Sequence, residues 1–257
     1  MEPKVEIKGV IDASFVDWPT TSARGRLCAV VFLGGCNFRC PFCHNGALVL
    51  NHRDMPSMSF DSVLSRLERL KPWVEAICVT GGEPTTNKGL DRFLRALKAS
   101  GFSIKLDTNG YLPEILGRII EEGLVDYVAM DVKTILRAGP YSNCTGVFVD
   151  IGRIKDSIGI LKESTIFHEF RMTVLPRFHS SDLVHEWAAD LYLGVGSVRK
   201  GFLRLQRFSP GDTLDPAFRN ETPFTEEEFA DLVSLISSQA PPPSDRGRSF
   251  SCVHSCG

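Results

Sequence analysis

The stretch GGCNFRCPFCHNG, residues 34–46, brings three cysteines into eight consecutive positions. It continues LCAVVFLGG (27–35), an apolar run with the composition of a buried β-strand. In proteins built from alternating strands and helices, the loops after the carboxyl ends of the strands form the active site. The sequence therefore places the three thiols at such a position and indicates an enzyme of the α/β class.

Further strand-like runs follow along the chain and alternate with stretches of helical period. Including 27–35, six strands are predicted, the others at 75–80, 102–108, 125–132, 167–175 and 202–208. Helical spacing of apolar residues is found at 60–70, 90–97 and 225–238. Crossovers of this length favour a parallel sheet of right-handed βαβ units, and six units predict a partial (β/α)6 TIM-like barrel.

Composition limits the remaining possibilities. The chain has 257 residues and is 43% hydrophobic, enough for one large domain or two small ones. The net charge of −2 predicts no general binding to nucleic acid or to an anionic membrane. No apolar window of about 18 residues predicts a membrane span, and no secretory signal is recognised, so a cytoplasmic location with free thiols is expected. We expect the barrel to occupy 1–239, with a Pro-rich linker and Cys-containing tail at 240–257.

The three cysteines form the pattern C-x3-C-x2-C at Cys36, Cys40 and Cys43. Three interpretations are open. The thiols are buried as small hydrophobic groups, or they bind zinc with His44 as fourth ligand, or they bind three irons of a [4Fe-4S] cluster whose fourth iron stays open. The polar, glycine-flanked loop argues against simple burial.

The next strand ends also carry polar groups. The predicted site residues there are Gly81, Gly82 and Glu83 in TGGEP, Asp107, Thr108 and Asn109 in DTNG, and Asp131 and Lys133 in DVK. The glycines would allow close approach of a ligand and Glu83 would accept from an ammonium group, whereas turn formation and local capping are the alternatives. Asp131 and Lys133 lie two apart on a strand end and are predicted to point the same way. Arg171, on the fifth predicted strand, is either a structural pair partner or a ligand contact.

The cysteine spacing, with aromatic Phe42 before the last cysteine, resembles the radical S-adenosylmethionine (SAM) superfamily. Over residues 9–235 the chain resembles anaerobic ribonucleotide reductase activating proteins of the pyruvate formate-lyase activase-like kind. The resemblance rests on VVFLGGCNFRCPFCHN, TGGEP, DTNG, MDVK, the 141–146 segment, HEFRMTVLP and LQRFSPGDTLDP. It implies the partial barrel of the radical SAM type.

The resemblance also implies roles for the predicted residues. Cys36, Cys40 and Cys43 would hold the [4Fe-4S] cluster, and SAM would chelate the open iron. The SAM site would include Phe42, His44, Gly81, Gly82, Glu83, Asp107, Thr108, Asn109, Asp131, Lys133 and Arg171, with a monovalent cation near SAM contacted by the DTNG and DVK segments. A histidine that some activases place near adenine at the last strand has no counterpart in LQRF, 205–208.

The implied reaction is reductive cleavage of SAM to a 5′-deoxyadenosyl radical, which takes hydrogen from a glycine of a partner protein. The expected partners are an anaerobic ribonucleotide reductase and a flavodoxin- or ferredoxin-type reductant. Two alternatives are a radical SAM enzyme acting on a small molecule, peptide or nucleoside, and a non-catalytic metal-binding module.

Cys252, His254 and Cys256 in the tail would bind a metal, relay electrons, help dock a partner or have no fixed role. His168, His179 and His185 are predicted to be surface or core residues without a catalytic role.

Overall fold

The computed structural model describes residues 5–15, 17–18, 26–193 and 201–237. Its central feature is one seven-stranded open sheet whose strands follow the order of the chain. The strands are β1 (Ile7–Ser14), β2 (Cys28–Leu33), β3 (Ala76–Gly81), β4 (Ser103–Thr108), β5 (Tyr127–Asp131), β6 (Phe167–Val174) and β7 (Gly201–Arg207). Strands β2 to β7 are parallel, which confirms the six predicted strands and the partial barrel.

Strand β1 was not predicted. It pairs antiparallel with β2, and its register shifts between Ile7 and Gly9 and again between Ile11 and Ser14. Only Ile7 of this strand is fully buried, because the others lie at the sheet edge. A strand with one buried side chain and an irregular register lacks the alternation that identifies strands in a sequence.

Eight helices are described between and after the strands, and the three predicted ones are confirmed. They are α1 (Gly46–Leu50), α2 (Phe60–Leu70), α3 (Leu90–Ala99), α4 (Pro113–Glu121), α5 (Ala138–Thr145), α6 (Ile151–Glu163), α7 (Ser181–Leu193) and α8 (Glu226–Ser237). Ser59 caps α2, since its side chain accepts from the Ser62 N–H at 3.2 Å. No helix among these residues is long and apolar enough to cross a membrane. The predicted tail, with Cys252, His254 and Cys256, lies outside the described residues.

The two faces of the sheet have opposite character. On β4, Ile104 and Leu106 belong to the large apolar core shared with the helices. The residue between them, Lys105, faces the interior of the barrel, where its ammonium group donates to Asp107 at 2.6 Å. Because successive side chains alternate, the inner face of the sheet lies directly behind an apolar outer layer. That inner face carries a small apolar cluster of Cys28, Val30, Ala76 and Cys78 next to Lys105, and charged groups toward the carboxyl ends of the strands, where the site lies.

Candidate active site

A cavity of about 260 Å³ opens at the carboxyl ends of the parallel strands. All fourteen residues predicted for the site line it, namely Cys36, Cys40, Phe42, Cys43, His44, Gly81, Gly82, Glu83, Asp107, Thr108, Asn109, Asp131, Lys133 and Arg171. The lining also includes Phe38, Asn45, Val49, Thr80 and Thr173, which were not among the predicted site residues. Asn45 and Thr80 stand inside the quoted motifs. Thr173 follows Arg171 by two positions on β6, and alternation alone does not tell which face of the strand is turned inward.

The loop that carries the three cysteines is held from two sides by backbone hydrogen bonds. The Arg39 N–H donates to the carbonyl of Thr145, at the end of α5, at 2.8 Å. From the segment after β7, the Leu214 N–H donates to the carbonyl of Cys43 at 2.9 Å, and the Asp215 N–H donates to that of Pro41 at 2.9 Å. The 141–146 and LQRFSPGDTLDP stretches thus fix the shape of the cysteine loop.

The three thiols of this loop are free and partly or fully buried. Burial raises the pKa of Cys36 to about 12 and that of Cys40 to about 11, although the nearby Lys133 charge acts in the opposite direction on Cys40. Cys36 Sγ accepts from the Phe38 N–H at 3.3 Å and from the Asn109 side-chain amide at 3.9 Å. Since iron binds thiolates, loading the site releases protons, and these N–H groups stabilise negative charge on the sulfur.

His44 and Phe42 occupy the side of the cavity next to β7. The His44 ring stacks on Phe208 with centroids 5.6 Å apart, and its Nε2 lies 2.9 Å from the Ser209 carbonyl oxygen. These two contacts engage His44 with the segment after β7. The Phe42 ring packs on Phe178, with centroids 5.8 Å apart.

The glycines of TGGEP let two loops cross in contact. The Gly82 N–H donates to the Leu33 carbonyl at 2.9 Å, and the Glu83 N–H donates to the Gly35 carbonyl at 2.7 Å. A Cβ atom on Gly82 would lie 2.0 Å from the Gly35 oxygen, and one on Gly81 would lie 2.3 Å from the Leu33 oxygen. Only glycine fits at these two positions, because a side chain would clash with the neighbouring backbone. The sequence predicted only that the glycines allow a ligand to come close.

Glu83 is 1% exposed and accepts four hydrogen bonds from protein groups. Its donors are the Thr85 N–H at 3.1 Å and hydroxyl, the Thr108 hydroxyl at 2.7 Å and the Asn109 N–H at 2.7 Å. Burial raises the pKa of Glu83, and these hydrogen bonds oppose the rise. The carboxylate joins the TGGEP loop to the DTNG loop.

The side chain of Asn109 makes two hydrogen bonds. One is local, as expected if the residue forms a turn, and the other reaches a different loop. Its Oδ1 accepts from the Tyr111 N–H at 3.0 Å, which forms a turn after β4. Its Nδ2 donates to Asn37 Oδ1 at 2.8 Å, in the cysteine loop. One side chain therefore both shapes its own loop and fixes it to the loop of the thiols.

Five charged side chains alternate in sign across the floor of the cavity. Lys105 pairs with Asp107 at 2.6 Å, and Lys133 pairs with Asp131 at 3.0 Å, so the latter two point the same way as predicted. Arg171 lies between the carboxylates, 2.8 Å from Asp131 and 3.4 Å from Asp107. Burial opposes ionisation of Asp131, but Arg171 and Lys133 lower its pKa well below the usual range. Arg171 is a structural pair partner that also lines the cavity.

Comparison with known proteins identifies the family of this site. The profile of the Radical SAM superfamily matches residues 30–185, which include the cysteine loop and strands β3 to β6. The chain belongs to the radical SAM superfamily. It is 31% identical over 242 residues to a Methanocaldococcus jannaschii protein named "putative glycyl-radical enzyme activating enzyme", covering 90% of this chain and 92% of that one.

Other radical SAM proteins match over shorter stretches or by fold. The 7-carboxy-7-deazaguanine synthase of Neisseria meningitidis is 33% identical over 114 residues, which is 44% of this chain and 47% of that protein. The structure of TYW1 with a lysine-pyruvate adduct superposes with a TM-score of 0.59 at 14% identity, covering 83% of this chain and 74% of that one. Streptococcus suis SuiB bound to S-adenosylmethionine superposes with a TM-score of 0.57 at 18% identity, covering 80% of this chain and 44% of SuiB.

Membership in the family makes the protein an oxidoreductase enzyme with a [4Fe-4S] cluster and SAM as cofactors. The residues around the cavity fit that pair. Three free thiols line the cavity, and they would suit three of the four irons of a [4Fe-4S] cluster. The N–H groups aimed at Cys36 and the ammonium of Lys133 favour the negative charge of thiolate ligands.

Proposed function

We propose that this radical SAM enzyme generates a glycyl radical on a partner protein, and that the partner is an anaerobic ribonucleotide reductase. The observation that carries the proposal is the M. jannaschii relative, since the similarity extends over 90% of this chain and 92% of that protein. The relatives that modify nucleotides match at most about half of the chain. The proposed partner itself follows from the sequence resemblance to reductase activating proteins.

The residues of the chain have separate tasks in this proposal. Cys36, Cys40 and Cys43 hold the cluster, and the residues of the TGGEP, DTNG and DVK segments hold SAM. When bound, the cluster and SAM together would supply a 5′-deoxyadenosyl radical, since one electron from a flavodoxin- or ferredoxin-type protein breaks the S–C5′ bond of SAM and methionine leaves. The hydrogen atom leaves the glycine Cα, ends in 5′-deoxyadenosine and leaves one unpaired electron on the glycine. Phe42 and the crossed loops keep the reacting groups positioned and exclude water.

A cytoplasmic location is part of the proposal. Six cysteines of the described residues are free, which suits a reducing compartment. The cluster is held by cysteine thiolates and the proposed reaction needs a one-electron reductant, and a reducing compartment supports both.

The direct test is electron paramagnetic resonance of reduced enzyme incubated anaerobically with SAM and a candidate anaerobic ribonucleotide reductase. We expect the doublet of a glycyl radical and one 5′-deoxyadenosine per radical formed. A reductase variant whose radical glycine is replaced by alanine is the control and should give no doublet. Cleavage of SAM without a doublet on any candidate glycyl-radical protein would contradict the proposal.

A second candidate is modification of a nucleotide. It is favoured by partial matches to 7-carboxy-7-deazaguanine synthase, to a probable GTP 3′,8-cyclase of Pyrococcus horikoshii and to an S-adenosylmethionine-dependent nucleotide dehydratase of a Thermoplasmatales archaeon. Incubation with nucleoside triphosphates, followed by measurement of 5′-deoxyadenosine, separates the two candidates. Nucleotide-dependent formation of 5′-deoxyadenosine in the absence of a partner protein would favour this one.

A further inference from the structure

The protein's own cations face every oxygen of the two carboxylates on the floor of the cavity. Asp107 Oδ1 accepts from Lys105 Nζ at 2.6 Å, and its Oδ2 faces Arg171 at 3.4 Å. Asp131 Oδ1 accepts from Arg171 Nε at 2.8 Å, and its Oδ2 accepts from Lys133 Nζ at 3.0 Å. Each of the four carboxylate oxygens therefore has one cationic donor.

This arrangement does not fit the monovalent cation expected beside SAM from the family resemblance. Alkali cations require several oxygen ligands, and every oxygen of Asp107 and Asp131 already faces a positive group. Glu169 is a third buried carboxylate of this group, with Oε1 4.0 Å from Arg171, so three carboxylates balance the three cations Lys105, Lys133 and Arg171. The negative charge that would attract a further cation is already neutralised by the protein's own side chains.

Lys105 is the member of the group that lies below the cavity. It is 2% exposed and does not line the cavity, and its Nζ lies 3.8 Å from Cys78 Sγ, so water has little access to its ammonium group. Burial alone would lower the pKa of Lys105, but the Asp107 carboxylate raises it above its usual value. The ammonium group is a fixed positive charge held against Asp107 from the side opposite the cavity.

We propose that Lys105 is a positioning residue that supplies the positive charge beside Asp107, so that SAM binds in this cavity without a monovalent metal cation. The inference deepens the proposed SAM site. It rests on SAM binding among these residues and not on the identity of the hydrogen donor. Replacement of Lys105 by an uncharged side chain leaves Asp107 Oδ1 without its donor and opens a position for an alkali cation.

The test measures the dissociation constant of SAM for the cluster-loaded enzyme, without reductant or partner protein. Equilibrium dialysis is performed in KCl, NaCl and tetramethylammonium chloride at equal ionic strength, so that screening of surface charges is the same. We expect the three dissociation constants of the wild-type enzyme to agree within about twofold. Loss of a charge partner should change the dissociation constant by about tenfold, so the two outcomes are distinguishable. A wild-type enzyme that binds SAM only in K⁺ or Na⁺ would overturn the proposal.

The variant Lys105→Met keeps the length of the side chain and removes its charge. We expect its SAM affinity to fall about tenfold or more in tetramethylammonium chloride and to recover on addition of K⁺ or Na⁺. Equal affinity of Lys105→Met in all three salts would overturn the role of Lys105. The matched control is Lys98→Met, which removes a Lys–Asp pair of similar length, 2.8 Å to Asp126, at the surface.

Two results keep this test separate from other failures. Iron and sulfide are determined for each variant, and if Lys105→Met does not retain the cluster, the same salt series on Lys105→Gln decides the role of Lys105. If wild-type SAM binding is independent of the cation and that of Lys105→Met is not, but no glycyl radical forms on any partner, the proposed function fails and the role of Lys105 stands.

Discussion

Glu83 joins two loops of the site through one buried carboxylate. Its Oε1 accepts from the N–H and hydroxyl of Thr85 and from the hydroxyl of Thr108, whereas its Oε2 accepts from the Asn109 N–H. A buried donor that loses its acceptor costs about 1–3 kcal/mol. The stability of the site therefore depends on this side chain in addition to any contact that it makes with SAM.

Substitution of Glu83 should lower stability and SAM affinity together while the cluster is retained. In Glu83→Gln the side-chain carbonyl can stay at the Oε1 position, so only the Asn109 N–H loses its acceptor, and we expect a loss of about 1–3 kcal/mol in the free energy of unfolding. Glu83→Ala removes all four acceptor contacts and should lose more. Thermal unfolding and equilibrium dialysis of SAM measure the two effects.

The controls for this prediction are two cysteine variants. Cys40→Ala should lose its iron, because it removes one ligand of the cluster. Cys144→Ala should retain about four irons per chain, since Cys144 lies outside the motif and its buried thiol donates to the Lys133 carbonyl at 3.4 Å. Loss of iron from Glu83→Gln to the same extent as from Cys40→Ala would contradict the division between cluster and SAM residues.

At the scale of elements, β1 supports the beginning of the cysteine loop from the sheet edge. The Gly34 N–H donates to the Glu6 carbonyl at 2.9 Å, just before β1 begins. The Ile7 carbonyl accepts from the Met58 N–H at 2.9 Å, and the Ile7 side chain is 0% exposed. An irregular edge strand thus anchors the backbone that leads into the site.

Truncation of Ile7 tests the contribution of this strand. Ile7→Ala should lower the free energy of unfolding by about 2–5 kcal/mol, as is usual for a fully buried aliphatic side chain. The control Ile11→Ala, in the same strand but 48% exposed, should change it by no more than about 0.5 kcal/mol. Urea unfolding under anaerobic conditions measures both, and equal losses would show that burial in β1 does not govern its stability.

The sequence identified the elements of this fold better than the orientation of their residues. Alternating strands and helices predicted the parallel sheet, and motifs at four strand ends predicted residues that do line one cavity. Lys105 was missed because a lysine in the apolar run FSIKLDT normally faces solvent, and only the assembly of the strands into a curved sheet places it in the interior. The bridge made by Glu83 was missed for a related reason, since its partner Thr108 is 25 positions away in the chain.

At the scale of the whole molecule, two histidines are buried away from the charged interior. His168 on β6 is 0% exposed, and its Nδ1 lies 3.1 Å from the Ile166 carbonyl. His179 is 1% exposed, with Nε2 2.9 Å from the Lys133 carbonyl and Nδ1 accepting from the Leu175 N–H at 3.2 Å. Burial lowers the pKa of both imidazoles below the ordinary value of 6.5, so both are neutral in the folded enzyme at neutral pH.

Acidification should therefore destabilise the fold before the carboxylates titrate. Because the folded pKa of His168 is lowered, the unfolded chain binds more protons as the pH falls below 6.5, and the free energy of unfolding decreases. Above 6.5 this contribution is constant. We expect His168→Phe to show a smaller fall in thermal midpoint between about pH 7 and pH 5 than the wild type.

The experiment compares the change in thermal midpoint with pH and not the midpoints themselves, because the substitution also removes the contact with Ile166. The control is His185→Phe on the exposed face of α7, which should leave the slope of the wild type unchanged. An equal change in thermal midpoint with pH for the wild type and His168→Phe would show that protonation of His168 does not lower the free energy of unfolding.

The crossing of the 81–83 loop over the 33–35 loop limits how this sequence can diverge. The Gly35 oxygen occupies the space that any side chain at residue 82 would need, while the same carbonyl receives the Glu83 N–H. An insertion before Cys36 or a larger residue at 82 would have to be matched by a change in the other loop, so the two segments must evolve as a pair. Asn45 is tied to the same crossing, since its Nδ2 donates to the Gly81 carbonyl at 2.8 Å. Thr173 on β6 lines the cavity away from the crossing and is left as a position where substrate preference can change by a single substitution.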